Sequence, residues 1–266
     1  MKPYLILRSL FTVIVVLFVV TPLFSQQPEK QEERKKKKRF EPNSAILFAP
    51  IYTAQFPFGD MQDRYGFNSL FGFGIHYKTR KNWLVGLEGN FLFGTTVREG
   101  YVLDNISTAT GQFVSQNNDL VRISPQEQGA NIKFNFGKVI PFSEKFPDAG
   151  LLIMTGAGLL QHKMTFDVKK ESLPQLDKTY RKGYDRMCLG PVFSQFIGGI
   201  FLERRRFISV YGGLQFDIGY TQNMRPYDFY SRAKLTEKRL DMFLGIKVGW
   251  IIPYFLQTSS KEYYYY

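Results

Sequence analysis

The sequence predicts an all-β protein: an antiparallel, up-and-down transmembrane β-barrel of eight strands. Three observations predict it. After Ser44 the apolar residues recur at every second position through eight runs. Most of these runs approach or exceed the roughly ten residues that a tilted membrane-crossing strand needs. The connections alternate between short and long, as they do when one end of a barrel carries tight turns and the other carries loops.

Composition agrees. Of 266 residues, 26 are Phe, 16 are Tyr and 23 are Gly, a balance that favours strands over helices. The single cysteine, Cys188, excludes an internal disulfide and a Cys-rich zinc site. Two histidines, His76 and His162, leave little for metal or acid–base chemistry. The formal charge of +12 owes part of its excess to the first segments of the chain.

The first of these is an address. Lys2 and Arg8 precede the apolar stretch Leu10–Val20, Thr21 and Pro22 break it, and Ser25 is a small residue at the expected cleavage point. Residues 1–25 are expected to be a secretory signal peptide. No cysteine follows the apolar stretch, so a lipoprotein anchor is not expected. Residues 26–43, with Lys35–Lys38 and Arg39 set against Glu29, Glu32, Glu33 and Glu41, are expected to be a solvated basic linker. Export makes nucleic acid an unsuitable partner for it.

The barrel is expected over 44–254. Its first two strands are Ala45–Phe56 and Phe67–Lys78, and Pro50, which lacks a ladder donor, predicts a bulge or distortion in the first. In the third, Trp83, Val85, Leu87, Phe91 and Phe93 alternate with Leu84, Gly86, Glu88, Asn90 and Gly94. The fourth sets Ala130, Ile132, Phe134 and Phe136 against Asn131, Lys133, Asn135 and Gly137. The fifth and sixth are Gly150–Thr165 and Leu189–Leu202; the phase of Ser194 and Gln195 is open. The seventh sets Val210, Leu214, Phe216 and Ile218 against Ser209, Gly213, Gln215, Asp217 and Thr221. The eighth sets Leu240, Leu244, Ile246 and Val248 against Asp241, Gly245, Lys247 and Gly249. Thr79–Asn82, Ile140–Ala149 and Glu203–Phe207 are the short connections. Val97–Pro125 is the longest, and a further hairpin within it would stand outside the wall or raise the count to ten strands. Residues 255–266 form a C-terminal tail.

One face is Phe, Leu, Ile and Val. The other is Gly, Asn, Gln and charge, which suits the inside of a narrow barrel. Tyr77, Trp83, Phe142, Phe207, Trp250 and Tyr254 are expected at the turn-end interface, and Tyr65, Phe67 and Tyr220 at the loop-end interface. Glu88, Lys133 and Lys247 share the inward face at about one level and are expected to meet as a charge cluster that plugs the lumen. His162, Asp217 and Asp241 are expected as a polar group nearer the loop end. Neither histidine has the neighbouring nucleophile that hydrolysis requires, so no enzyme activity, metal or cofactor is expected. The many inward glycines either relieve crowding around larger groups or leave a thin water path. Cys188, between the third loop and the sixth strand, is either a buried thiol or an intermolecular bridge.

The last strand, Lys247-Val248-Gly249-Trp250-Ile251-Ile252-Pro253-Tyr254, resembles the C-terminal assembly signal of outer-membrane barrels, with Lys247, Gly249, Ile252 and Tyr254 in its polar, glycine, apolar and aromatic places. It departs from the common form in the twelve residues that follow Tyr254. With the eight runs, the chain resembles small barrels of the OmpA/OmpX/OmpW type. Its composition, and Phe-Ser before Gln-Gln at the end of the signal, are similar to outer-membrane barrels of the Bacteroidota. The resemblance implies an integral outer-membrane protein in contact with lipid and handled by the barrel assembly machinery. No cell-wall-binding domain follows the last strand, so OmpA-like anchoring is not expected. The fourth loop carries Tyr227, Phe229 and Tyr230 beside Arg225 and Arg232, a composition found at binding hot spots and at lipid interfaces. A structural or accessory subunit of an envelope or secretion complex is the leading functional expectation. A narrow channel, or a lateral route for a small solute, is the alternative.

Overall fold

Residues that alternate along a strand must line the two faces of a wall. In the computed structural model, which describes residues 44–143, 146–167, 173–202 and 209–256, that wall closes on itself. Its strands are β1 (Ala45–Gly59), β2 (Asn68–Lys78), β3 (Trp83–Gly94), β4 (Pro125–Ser143), β5 (Phe146–Phe166), β6 (Cys188–Phe201), β7 (Ser209–Asn223) and β8 (Lys238–Phe255). Each pairs antiparallel with its neighbour in sequence, and β8 pairs back to β1, so the wall has no edge strand. The signal, the linker and residues 257–266 of the tail lie outside the described residues.

The ring closes with an offset. Followed across the ladders, Phe48 leads through Ile75, Leu87, Phe134, Ala157, Phe193, Ile218 and Met242 to Phe58, ten residues further along β1. Such a shear tilts the strands against the barrel axis and leaves an interior that side chains can fill. The residues on that path are half-buried or exposed, while those one step away on each strand are mostly buried.

Two expectations change, and one open alternative is decided. Pro50 causes no bulge: β1 keeps one register with β8 on either side of it, Phe48 opposite Ile252 and Ile51 opposite Gly249, and its pairing with β2 runs through it. The register shift lies instead between Pro141 and Ser143 of β4. Ile140–Ala149 is not a ten-residue connection, because β4 and β5 continue to Ser143 and Phe146. The long connection after β3 does hold a hairpin, Phe113–Val114 with Leu120–Val121, but it forms its own two-stranded sheet outside the ring. The wall therefore has eight strands. Ser194 faces inward and is buried, which settles the phase of β6.

Candidate functional site

The inward side chains form layers, because β3, β6 and β8 carry apolar residues at both ends of corresponding inward rows. From the turn end, β3 carries Leu84, Gly86, Glu88, Asn90 and Leu92, all facing inward. On β8 the order toward the turn end is Phe243, Gly245, Lys247, Gly249 and Ile251. On β6 it is Val192, Ser194, Phe196, Gly198 and Ile200. An apolar layer near the turns (Leu47, Leu84, Val139, Leu152, Ile200, Ile251) and another near the loops (Leu70, Leu92, Leu160, Val192, Phe243) thus enclose a polar layer.

The polar layer is an ionic lattice. Glu88 stands directly opposite Lys133 across the β3–β4 ladder. Its Oε2 accepts from Lys247 Nζ at 2.5 Å, and its Oε1 lies 3.7 Å from Lys133 Nζ. Asn90 and Asn135 donate to the same carboxylate at 2.8 and 3.0 Å. Lys133 Nζ reaches Asp217 Oδ1 at 3.5 Å and Ser194 Oγ at 3.4 Å. Gln215 and Gln55 donate to Asp217 Oδ2 at 2.6 and 3.3 Å. Two acids balance two lysines, and all four residues are at most 2 % exposed. A buried charge requires such partners. The Phe196 and Tyr211 rings lie 5.7 and 5.9 Å from Lys247 Nζ, within cation–π range.

Asp217 therefore belongs to the lattice and not, as the sequence suggests, with His162 and Asp241. The reason is stagger. Asp241 stands opposite Gly219, so Asp217 lies one inward step nearer the turns. His162 and Asp241 do meet, Nε2 to Oδ2 at 2.9 Å, and Thr221 donates to the same oxygen. The Tyr65 ring packs edge-on against His162 at 5.8 Å. Among the described residues no group of three or more His, Cys, Asp or Glu is placed to hold a metal.

The four residues of the assembly-signal pattern divide between two faces. Ile252 and Tyr254 are 52 % and 62 % exposed on the outer face. Lys247 points inward to Glu88, and Gly249 makes room for Tyr211: a Cβ there would lie 2.1 Å from the Tyr211 ring. Gly156 does the same for Asn135, whose Oδ1 would lie 2.1 Å from a Cβ. Both glycines relieve crowding. Below the lattice, a cavity of about 10 Å³ lined in part by His76, Leu84, Met154 and Tyr211 has room for roughly one water.

At the loop end the barrel is capped. Met61 of helix α1 (Asp60–Arg64), Val102, Leu103, Phe113, Ile123, Leu173, Leu176 and Tyr184 pack onto the upper apolar layer. All four loops meet in an ionic knot that the sequence did not reveal. Glu99 Oε2 lies 3.1 Å from Arg64 Nε and 2.8 Å from Arg186 Nη1. Arg186 also donates to Asp228 at 3.2 Å, and Arg225 pairs with Asp185. Burial works against the Arg186 charge, but Asp228 and Glu99 more than offset it and hold the guanidinium above its ordinary pKa. Burial likewise pushes the Asp228 carboxyl up, and Arg186 with the Ser231 N–H outweighs it and holds it low. Cys188 is buried below the knot, 3.5 Å from Arg64 Nη1.

Outside, Tyr77, Trp83, Phe142, Trp250 and Tyr254 are exposed at the turn end, and Phe67 and Tyr220 toward the loop end. Phe207 lies outside the described residues. Tyr65 is a correction: it is fully buried and covers the lumen, because it follows α1 directly and is carried inward with it. Of the fourth-loop aromatics, Tyr227 and Tyr230 are exposed, while Phe229 turns against Tyr184, Tyr180 and Tyr227.

No protein-family model and no curated protein matches the chain. Among solved structures it is similar to Ail, the attachment invasion locus protein of Yersinia pestis, at 10 % identity over 79 % of this chain and 99 % of that one, TM-score 0.36. It is similar to Neisserial surface protein A at 7 % identity over 77 % and 96 %, TM-score 0.38. A major outer membrane protein from Thermus thermophilus matches at 11 % identity over 78 % and 99 %, TM-score 0.39. Likenesses this distant carry no argument of their own, and the ring rests on the ladders of this chain. The Bacteroidota resemblance finds no support among them.

Proposed function

We propose that the chain is an integral outer-membrane protein whose sealed barrel is a rigid pedestal for its loop cap, serving as a structural or accessory subunit of an envelope or secretion complex. The observation that carries this is the filled lumen: among the described residues, two apolar layers, an ionic lattice between them and a knotted cap above occupy the interior with side chains. The apolar outer face supports the membrane assignment. Phe71, Leu87, Ile132 and Ile246 are each at least 60 % exposed, and such a belt is stable against lipid rather than water. The turn end, where β1 begins and β8 ends, then faces the periplasm, and the loops face outward. Barrel assembly machinery would read β8 through Ile252 and Tyr254, its lipid-facing members.

The test has two arms. In planar bilayers the purified protein is expected to conduct poorly, and affinity purification from membranes is expected to recover the same partner chain reproducibly. Large, steady conductance without such a partner would favour the channel reading instead.

A further inference from the structure

The carboxylates inside the barrel are not treated alike. Glu88 has Lys247 and Lys133, Asp217 has Lys133, Asp241 has His162 and Arg239, and Asp148 has Lys78, each within 4 Å. Glu127, on β4 near the loop end, has no cation at that range among the described residues, although it is 1 % exposed. Its one hydrogen bond is from Asn68 Nδ2 to Oε2, at 3.1 Å. A buried anion with one neutral donor is an expensive arrangement.

Other polar atoms around it are unpartnered as well. Glu127 Oε1, Asn68 Oδ1, the Tyr65 hydroxyl and His162 Nδ1 are all buried, and none has a hydrogen-bond partner. The four residues are neighbours. Asn68 precedes β2's apolar run, three residues after Tyr65. Glu127 stands opposite Gly94 of β3, where a Cβ would lie 2.9 Å from Glu127 Oε2 and 3.0 Å from Asn68 Cβ. Gly129, one inward step along β4, faces His162, whose ring packs on Tyr65. Burial, and then the Glu127 charge, raise the Tyr65 phenol well above its ordinary pKa, so the hydroxyl stays neutral beside the carboxylate. Oxygens of Glu127, Asn68 and Tyr65 are thus left unpartnered beside a carboxyl that no described cation compensates within 4 Å.

We infer that the chamber between Tyr65, Asn68, Glu127 and His162 is a binding site for one monovalent metal cation, with Glu127 Oε1, Asn68 Oδ1 and the Tyr65 oxygen as its oxygen donors. Oxygen donors suit a hard cation, and a single carboxylate matches a single charge.

The full chain is refolded into detergent and unfolded by urea in sodium, potassium or choline chloride at equal ionic strength. Sodium or potassium is expected to raise the folding constant about tenfold over choline, as a ligand bound only to the folded state does. Glu127→Gln is expected to abolish that difference, and Asn68→Asp, which adds a second carboxylate, to create a response to calcium. Equal stability of the wild type in all three salts would overturn the proposal and leave a protonated or merely hydrated carboxyl. Should Glu127→Gln fail to fold, wild-type crystals grown with rubidium decide: an anomalous peak beside Glu127 supports the site, and its absence overturns it.

Discussion

Two ionic networks stand in one barrel and differ in what holds them. The lumen lattice of Glu88, Lys133, Lys247 and Asp217 is built by four strands, β3, β4, β8 and β7, whose ladders set every position. The loop-end knot of Arg64, Glu99, Arg186 and Asp228 is built by four loops, tied by single backbone bridges such as Tyr65 with Val97 rather than by strand ladders. The lattice cannot reach water when broken. The knot can, since the Glu99 side chain is already 12 % exposed. The same chemistry therefore carries different penalties, and the wall rather than the charges decides which.

The sharpest way to break the comparison is to remove one acid from each network. Glu88→Ala leaves Lys247 without its acid and Lys133 with Asp217 alone. It is expected to cost about 3–5 kcal/mol in urea unfolding from micelles. Replacing Glu88 and Lys247 together by Met is expected to recover most of that loss, because no charge is left stranded. Arg186→Ala is expected to cost less, about 2 kcal/mol, the scale of hydrogen bonds to charged groups. It should speed protease cleavage of the loops while the unheated barrel keeps its shifted gel mobility. A wild-type-like Glu88→Ala would mean that water reaches the lattice.

Legibility followed the same division. Glu88, Lys133 and Lys247 were readable because alternation assigns a face and distance from a turn assigns a level. Asp217 was misplaced because level also depends on the stagger between β7 and β8, which alternation alone does not reveal. Glu127 and Asn68 gave no signal. They lie at strand ends where outward neighbours such as Gln126 and Gln128 are polar, so the apolar stripe that announces a strand is missing there. The knot was illegible for a stronger reason: Arg64, Glu99, Arg186 and Asp228 come from four segments without a repeating pattern. Tyr65 looks like an interface ring in the sequence because nothing in its neighbourhood announces the turn of helix that carries it inward.

Salt and acid should separate the networks by smaller margins. Higher ionic strength is expected to loosen the knot, measured as faster loop proteolysis, and to leave the lattice unchanged, because buried pairs are weakly screened. Asp228 supplies the pH dependence. Its carboxyl is held below the ordinary value, so its contribution is present above that value, about 4, and is lost as pH falls through the lower folded pKa. Loop cleavage by an acid-active protease should therefore rise below about pH 4. Asp228→Asn should remove that rise.

The ten-residue offset with which the ring closes has a consequence for descent. A closed wall has no seam at which an error can be discharged. One residue inserted into β8 after Gly245 would turn Lys247 toward lipid, and the mismatch would pass to both flanking strands. The same residue inserted between Asn223 and Lys238 would alter a single loop. Lineages of this protein are therefore expected to keep strand lengths almost frozen, to change the wall only by whole hairpins, and to place their variety in the four loops.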